Sequence, residues 1–224
     1  MNNQAFYEDL VDQRTISDSM KLAEAFMIRY RTAMDFVMDK LNFLNREFKL
    51  KNDYDLVDSM QHRIKTPDSI LEKVDRKHFP KTRDTIFNKL HDIAGVRVIT
   101  RFISDVYTIE DMLMAQPDVT VVQRKDYIEY PKENGYRSLH LIVSVPIYLS
   151  SGTENIDVEI QIRTIAMNFW ASVEHELNYK KDVANKTLLR ENLSQTADDV
   201  SLLDRKMDRL RGRIWKSQSE NLRE

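Results

Sequence analysis

The stretch Ile156-Asp157-Val158-Glu159-Ile160-Gln161-Ile162-Arg163 decides the fold. Its apolar residues are all β-branched and alternate with polar ones, which is the period-two pattern of a strand that buries one face. The other face carries two carboxylates, an amide and a guanidinium. Such a polar face ordinarily lies in solvent. Here residues 91–97 and 134–140 favour a functional site instead, because each joins polar groups of catalytic type to an apolar strand.

The composition is typical of a soluble protein with one substantial core. The chain has 224 residues, of which 42% are hydrophobic and 31% are charged. A net charge of −2 gives no global attraction to nucleic acids or anionic membranes, so any anion has to be held by a local basic cluster. The absence of cysteine excludes disulfides, thiol chemistry and cysteine-ligated zinc.

Targeting signals and nucleotide-binding glycine loops are both missing from the sequence. No apolar run approaches the roughly 18 residues of a membrane span, and the first residues include acidic side chains, unlike a signal peptide. We therefore expect a cytoplasmic protein without membrane association. With four glycines in the chain, neither a Walker loop nor a GxGxxG turn can be written. If the protein binds nucleotides, side chains must hold the phosphates.

Two amphipathic segments lie near the ends of the chain. Apolar residues follow a three-four spacing over 20–48, and a matching stripe closes the chain at Leu189, Leu193, Val200, Leu203, Met207, Leu210 and Ile214. Such stripes usually pack on the chain's own core, but two of them also suggest an oligomer interface. We divide the chain into a lightly docked tail at 1–19, a catalytic domain at 20–184 that includes the first helix, and a C-terminal amphipathic helix at 185–224 with a role in oligomerisation.

The segment that follows Gln61 predicts an anion-binding site. Thr66 before Pro67 is typical of a helix cap, so a helix is predicted from Pro67 to Lys77. One face of this helix would carry Ser69, Lys73 and Arg76, and the other Ile70, Leu71 and Val74. Arg63 and Lys65 point the same way from an extended entry. These groups could converge on a polyphosphate at the helix start, or form a solvated basic face.

A second polar segment places Asp92 at the start of a core strand. A helix over 83–90 is predicted to lead into a strand at 94–102. Asp92 is well placed to bind magnesium, because hard cations prefer carboxylate oxygens on a rigid base. We interpret the adjacent His91 as structural, since the further ligands of a histidine-aspartate metal centre do not occur at a recognisable spacing.

The next segments predict a helix, a short strand and a polar loop. Ser104 is expected to cap a helix that ends at Met114, and 119–124 is predicted to be a strand. The loop at 125–135 interleaves cations with aromatic residues and leads to Tyr136, ahead of a strand at 138–145. A tyrosine in this position can stack on a base or serve in ordinary packing.

The opening strand is flanked by a predicted turn and a predicted helix. Residues 150–155 are expected to form the turn, and Thr164 to start the helix. The inward side chains of that helix are predicted to be Ile165, Phe169, Trp170, Val173 and Leu177. Asn168, Glu174 and His175 are then available near the cleft.

Six motifs occur in a fixed order between Arg63 and His175. They are Arg63-Ile-Lys65, Ser69-Ile-Leu-Glu-Lys73, Asp92-Ile-Ala-Gly-Val-Arg97, Gly135-Tyr136-Arg137-Ser138-Leu-His140, Glu159-Ile-Gln161-Ile-Arg163-Thr164 and Phe169-Trp170-Ala-Ser-Val-Glu174-His175. Together they closely resemble the small alarmone synthetases, the single-domain relatives of the long stringent-response synthetase and hydrolase enzymes. The resemblance spans about residues 20–215.

This resemblance implies an α+β, nucleotidyltransferase-like fold in which helices flank a mixed β-sheet. It implies a GTP pyrophosphokinase that uses Mg²⁺ and moves the β,γ-pyrophosphate of ATP to the ribose 3′-hydroxyl of GDP or GTP. The products are ppGpp or pppGpp together with AMP. It also implies a homotetramer, and synthesis without hydrolysis.

The resemblance assigns a role to each matching position. Asp92 and Glu159 match the magnesium carboxylates, and Glu159 also matches the residue that activates the 3′-hydroxyl. Arg63 and Arg97 match the pair that sandwiches adenine. The ATP phosphate contacts match Lys65, Ser69, Lys73 and Arg76. Tyr136 matches the residue stacked on guanine, and the other GDP or GTP contacts match Lys125, Lys132, His140, Gln161 and Asn168.

The chemistry of the reaction agrees with these residue types. Pyrophosphoryl transfer requires neutralised charge and an in-line nucleophile, which a metal ion and several cations can supply. Two other classes stay open: a nucleotidyltransferase that uses RNA or another nucleotide as acceptor, and a non-catalytic oligomeric nucleotide-binding protein. RNA binding is compatible with the sequence, but no feature indicates it.

Overall fold

Five strands form one mixed sheet in the order β1-β2-β5-β4-β3. The structure is a computed structural model that describes residues 3–80, 86, 89–179 and 186–221, with side chains at 21, 24–80, 86, 89–177 and 187–215. The strands are β1 (Val57–Ile64), β2 (Ala94–Thr100), β3 (Thr120–Asp126), β4 (Leu139–Leu149) and β5 (Gly152–Thr164). Strands β2 and β5 are parallel, and the other described neighbours are antiparallel. This mixed sheet confirms the predicted α+β class.

The described helices flank this sheet. They are α1 (Asn3–Asn52), α2 (Pro67–Arg76), α3 (Ile103–Met114), α4 (Ile165–Tyr179) and α5 (Lys186–Asn221). Helix α1 starts far earlier than the predicted Met20, since residues 3–52 contain no glycine or proline to interrupt it. The helix predicted over 83–90 lies outside the described residues except at Ile86 and Lys89, which are helical, and Leu90, which is not. Among the described residues, none of the helices combines the length and apolarity of a bilayer crossing.

One face of the sheet is the main core. Ile156, Val158, Ile160 and Ile162 of β5 are fully buried there, against α1 and α3. The predicted stripe of α1 supplies the covering layer through Tyr30, Met34, Val37, Leu41 and Leu44, all buried. The alternation in the opening stretch therefore predicted the buried face of β5 correctly.

A second, smaller core joins α4 to α5. Trp170 packs with Leu193 and Ala197, and its indole Nε1 donates a hydrogen bond to the Leu193 carbonyl at 2.9 Å. Gly135, whose φ is +87°, lies so close to α5 that an added Cβ would come within 2.5 Å of the Ala197 Cβ. Because this backbone conformation favours glycine and leaves no space for a side chain, Gly135 fixes the loop that leads to Tyr136.

Two local predictions are corrected by the backbone. The turn between β4 and β5 consists of Ser150 and Ser151 alone, because the strand pairing continues from Gly152 through the rest of the predicted turn. The N-cap of α3 is Phe102, which has extended backbone angles and no side-chain capping bond. Ser104 lies inside the first turn instead, and its hydroxyl donates to the Asp208 carboxylate at 2.7 Å.

The inward faces of α2 and α4 also differ from the prediction. Leu71 of α2 is 44% exposed, and in α4 the exposed fractions of Ile165, Phe169 and Val173 are 48%, 60% and 39%. In α4 the packed side carries Met167, Trp170 and Ala171, and Leu177 packs against the same small core as predicted, whereas the other three predicted residues are turned outward. Trp170 was predicted correctly to be buried.

Helix α5 changes its packing halfway along its length. Leu193 is buried as predicted, but the later stripe residues Leu203, Met207, Leu210 and Ile214 are each about half exposed. The side of this half that faces the domain is polar: Asp204 accepts a hydrogen bond from Thr164 at 2.6 Å, and Arg211 forms an ion pair with Asp105. The apolar stripe therefore faces away from the chain's own core.

Candidate active site

The strand register places two rows of residues, most of them polar, across the open face of the sheet. In the first row, successive pairs join Lys125, His140, Gln161, Arg97 and Gln61. In the second row, successive pairs join Gln123, Ile142, Glu159, Gly95 and Arg63. Residues that share a row on neighbouring strands lie on one face, so groups from all five strands meet there.

A cleft of about 400 Å³ opens over these rows. Six predicted site residues line it: Arg63, Lys65, Asp92, Arg97, Glu159 and Gln161. Gly95 forms part of the floor between the Arg63 and Glu159 strands, where the absence of a side chain leaves the cleft open. The structure therefore brings three of the predicted ATP-binding residues, Arg63, Lys65 and Arg97, together with both predicted metal ligands.

Asp92 is held at the edge of this cleft by two lysines. Its Oδ2 accepts hydrogen bonds from Lys65 Nζ at 2.9 Å and from Lys73 Nζ at 2.5 Å, and Lys65 Nζ also reaches the Asp92 carbonyl at 2.9 Å. Burial alone would raise the pKa of the Asp92 carboxyl, but the two ammonium groups outweigh it and hold that pKa below the ordinary value. Asp92 is therefore an anion at neutral pH.

The carboxylates of this cleft fit a magnesium ion. Asp92 Oδ1 is buried and has no hydrogen-bond partner among the described residues. Within that part of the chain, no three histidine, cysteine, aspartate or glutamate residues form a cluster able to hold a metal. Mg²⁺ is commonly bound by one or two carboxylates together with substrate phosphates and waters. The donor set of Asp92 and Glu159 matches that type of site.

Glu159 lies in the middle of a hydrogen-bonded circuit. Its Oε2 accepts a hydrogen bond from Gln161 Nε2 at 2.9 Å, and its Oε1 is 3.4 Å from His140 Nδ1. Burial alone would raise the pKa of the Glu159 carboxyl, but the hydrogen bonds from His140 and Gln161 more than compensate, so that pKa is lowered. Glu159 is ionised and able to accept a proton from a substrate hydroxyl.

Tyr136 connects this circuit to the polar loop. Its hydroxyl is 2.8 Å from His140 Nε2 and accepts a hydrogen bond from Arg163 Nη2 at 2.5 Å. The Lys132 ammonium lies 4.7 Å from the ring centres of both Tyr136 and Tyr127, within cation–π range. A nucleobase that stacks on the Tyr136 ring at the position of the Lys132 ammonium has to displace the lysine side chain.

Besides Lys73, Lys132, Tyr136 and His140, four more predicted site residues are not part of the cleft lining. Ser69 is engaged in the cap of α2, where its backbone N–H donates to Thr66 Oγ1 at 3.3 Å. Arg76 is exposed in the last turn of α2, and Lys125 is exposed near the end of β3. Asn168 lies on α4, and its Oδ1 is buried without a hydrogen-bond partner among the described residues.

Sequence reasoning did not assign a role to Arg163. This side chain is only 5% exposed, and it also donates to Gln161 Oε1 at 2.8 Å. The signal for it was present in the opening stretch, because strand alternation puts Arg163 on the same face as Glu159. His91, interpreted as structural, lies 2.6 Å from Asp157 Oδ2 through its Nδ1.

Comparison with known proteins agrees with this geometry. The family profile described as "Region found in RelA / SpoT proteins" matches residues 62–184. GTP pyrophosphokinase YjbM of Bacillus subtilis is 39% identical over 198 residues, which cover 88% of this chain and 92% of the relative.

Two solved structures extend the likeness to the fold. Small alarmone synthetase 1 of Bacillus subtilis bound to its product pppGpp is 39% identical, with a TM-score of 0.77 over 87% of this chain and 99% of that one. The same enzyme bound to AMPCPP is 37% identical, with a TM-score of 0.72 over 88% and 99% of the two chains. With its sequence, its sheet and its family profile in agreement, this chain belongs to the RelA/SpoT family and, within it, to the small alarmone synthetases.

Proposed function

We propose that this protein is a GTP pyrophosphokinase, which transfers the β,γ-pyrophosphate of ATP to the ribose 3′-hydroxyl of GDP or GTP. The observation that carries the proposal is the meeting of an ionised Asp92, held by Lys65 and Lys73, with an ionised Glu159 at one cleft. The names of its relatives support the same reaction. We also propose that the enzyme synthesises alarmones without hydrolysing them.

ATP would bind on the side of the cleft formed by β1, α2 and β2. Arg63 and Arg97 would hold adenine between their guanidinium planes, and Arg97 Nε is buried without a hydrogen-bond partner among the described residues. The phosphates would be bound by Lys65, Ser69, Lys73 and Arg76. Lys65 and Lys73 already lie together at Asp92, which supports a phosphate position beside that carboxylate.

The acceptor nucleotide would bind on the side formed by β3, β4 and α4. Tyr136 would stack on guanine, and the remaining contacts would come from Lys125, Lys132, His140, Gln161 and Asn168. Asn168 Oδ1 is buried and has no hydrogen-bond partner in the described part of the chain, which supports a contact to a donor group of the ligand. In this arrangement the 3′-hydroxyl faces Glu159.

Mg²⁺ is the proposed cofactor, with Asp92 and Glu159 as its protein ligands. When bound, the ion neutralises charge on the phosphate oxygens and helps to align the transferred group. Glu159 accepts the proton of the 3′-hydroxyl, whose oxygen forms a bond to the β-phosphorus of ATP. The bond from that phosphorus to the α,β-bridging oxygen breaks, and AMP leaves with its electron pair. Lysines and arginines around the phosphates stabilise the charge that develops.

The protein is proposed to act as a homotetramer in the cytoplasm, where its nucleotide substrates are found. The outward stripe of Leu203, Met207, Leu210 and Ile214 supports a role for 185–224 in oligomerisation, because exposed apolar patches of this kind mark interaction surfaces. Light scattering on the purified protein tests the subunit number. Leu210→Glu should reduce the assembled mass, whereas an unchanged mass would remove this stripe from the interface.

An acceptor assay tests the reaction itself. Purified protein is incubated with Mg²⁺, labelled ATP and either GDP, GTP or RNA, and the products are resolved. Guanosine tetra- or pentaphosphate with an equal amount of AMP supports the proposal and ranks the two guanine nucleotides. Label transferred to RNA, or ATP binding without AMP release, would favour one of the two other classes considered above.

A further inference from the structure

We propose that the Tyr136 hydroxyl positions the Glu159 base through His140, and that the buried Arg163 fixes the direction of this hydrogen-bond chain. The two parts of the Tyr136 side chain then have separate roles. The ring stacks on the guanine of the acceptor nucleotide, and the hydroxyl contributes to the chemical step. The inference rests on the proposed function, because it concerns how the proton acceptor of that reaction is held.

Four side chains form the chain in a fixed order. Arg163 Nη2 donates to the Tyr136 hydroxyl at 2.5 Å, and that hydroxyl lies 2.8 Å from His140 Nε2. On the other side of the imidazole, Nδ1 lies 3.4 Å from Glu159 Oε1. The last distance is long for a hydrogen bond, as is common at catalytic groups before the substrate binds.

The two ends of the chain fix the direction of its first and last hydrogen bonds, and the middle one is assigned through the tautomer of His140. Arginine can only donate hydrogen bonds, and an ionised glutamate can only accept them. The Tyr136 hydroxyl accepts from Arg163, so its own proton is available for His140 Nε2. A neutral imidazole that accepts at Nε2 carries its proton on Nδ1, where it points to Glu159. With His140 in this tautomer, every link has one donor and one acceptor, and all links run from Arg163 to Glu159.

The same residues close a loop that holds Glu159 from both sides. Arg163 Nη2 also donates to Gln161 Oε1 at 2.8 Å, and Gln161 Nε2 donates to Glu159 Oε2 at 2.9 Å. Each carboxylate oxygen therefore faces its own protein group, Gln161 at hydrogen-bond distance and His140 at a longer one, and both of these groups are linked to Arg163. Since Arg163 is 5% exposed and its Nε also lies 3.4 Å from the buried Ser138 hydroxyl, its position is well fixed.

Removal of the hydroxyl alone tests the proposal. Tyr136→Phe keeps the ring and its stacking surface, but leaves His140 Nε2 without its donor. We expect kcat with ATP and GDP to fall about tenfold, the scale of a hydrogen bond lost in the transition state, while KM for GDP stays within about twofold. Tyr136→Ala also removes the ring, and should raise KM for GDP in addition.

The matched control is Tyr130→Phe. Tyr130 lies on the same loop and is 71% exposed, and its side chain is not part of the chain of hydrogen bonds. This variant should match the wild type in kcat and KM. The proposal is overturned if Tyr136→Phe keeps the wild-type kcat, or if it raises KM for GDP at unchanged kcat, since the hydroxyl would then serve acceptor binding or packing.

A double variant tests whether the hydroxyl acts through His140. In a His140→Ala background, Tyr136→Phe should cause no further loss of kcat, because the link between hydroxyl and base is already absent. A full additional tenfold loss would place the effect of the hydroxyl elsewhere and overturn the proposal. These outcomes are distinct from failure of the proposed function, in which the wild-type protein itself would release no AMP with GDP or GTP.

Discussion

Residues 156–163 of β5 alternate between the two faces of the strand, and the two faces have different roles. On one face Ile156, Val158, Ile160 and Ile162 are buried to at least 97% and pack under α1 and α3. On the other face Asp157, Glu159, Gln161 and Arg163 are held by hydrogen bonds and ion pairs around a cleft. The first face stabilises the fold through apolar area removed from water, and the second orients charge.

This difference shows how stability and chemistry can be separated within one strand. The stability of the apolar face depends on filled volume and on the exclusion of polar groups, whereas the polar face depends on single protons and donor atoms. Substitutions on neighbouring residues should therefore have effects of different kinds.

Glu159→Gln should have the largest effect on activity. The amide keeps the shape of the side chain but cannot accept the proton of the 3′-hydroxyl, so AMP release should fall by about 10³-fold, within the range for general-base catalysis. The melting temperature should fall only modestly, because Glu159 contributes nothing to the apolar face and the variant loses only the interactions that lower its pKa. Turnover near the wild-type value in the folded variant would contradict the role assigned to Glu159.

Ile160→Ala should have the reverse effect. Ile160 is fully buried next to Glu159 in the chain, and its truncation leaves a cavity under α1 and α3. We expect a loss of about 2–5 kcal/mol in the free energy of unfolding, measured by urea denaturation. The kcat of the folded fraction should be preserved. A large fall in kcat at full folding would mean that the two faces are coupled.

Asp92→Asn should weaken the response to magnesium. Without its charge, Asp92 attracts neither the ion nor the Lys65 and Lys73 ammonium groups, and the Mg²⁺ concentration for half-maximal activity should rise by about tenfold, a scale typical of weakened metal sites. The control is Asp118→Asn, at a partly exposed carboxylate that pairs with Lys40 away from the cleft. An unchanged magnesium titration for Asp92→Asn would count against Asp92 as a ligand.

Asp204→Asn should have the smallest effect. Asp204 lies on α5 and is buried against the end of β5, where it accepts a hydrogen bond from Thr164. Burial raises the pKa of the Asp204 carboxyl, against the opposing hydrogen bond from Thr164, and Asp208 raises it further. Between the ordinary pKa of an aspartate and this raised value, the native state holds a proton that the unfolded state has lost. The free energy of unfolding of the wild type therefore falls as pH rises through this window. Above the window, the folded state carries the full free-energy cost of the buried Asp204 charge.

The asparagine variant buries no charge at this position, so it lacks this free-energy cost. Its amide oxygen can still accept the hydrogen bond from Thr164. Its melting temperature should exceed that of the wild type slightly at pH 7, and the difference should vanish at pH 3, where the wild-type carboxyl is protonated in both states. Thermal denaturation at the two values measures the difference. A lower melting temperature at pH 7 would show that the charged hydrogen bond to Thr164 matters more than burial.

Sequence periodicity predicted those parts of the fold in which an apolar face meets the chain's own core. It predicted the buried residues of β5, and those of α1 from Met27 onward, where burial follows the predicted stripe. Periodicity failed where the partner of an apolar face is not the adjacent sheet. In α5 the pattern shows that Leu210 belongs to an apolar stripe, but not that Asp204 and Arg211 would turn inward.

The site was predictable to a similar degree. Asp92, Glu159 and the cations Lys65 and Lys73 come together as expected, since motif and strand pattern both indicated them. The role of Arg163 depends on contacts with residues 136 and 138, which become neighbours only through the pairing of β4 with β5. Local sequence carries no information about such contacts, and the same limit explains why Ser104 was mistaken for a cap.

The seam between β2 and β5 has a consequence for the order of folding. It is the only parallel pairing among the described strands, and it sets Gly95 beside Glu159 although they are far apart in the chain, whereas β4 and β5 are joined by a two-residue turn. Pairings over long loops form late because the closure entropy must be met first. Asp92 and Glu159 lie on opposite sides of this seam. During refolding, the β4–β5 hairpin should therefore form before catalytic activity returns. The return of activity then reports the pairing of β2 with β5.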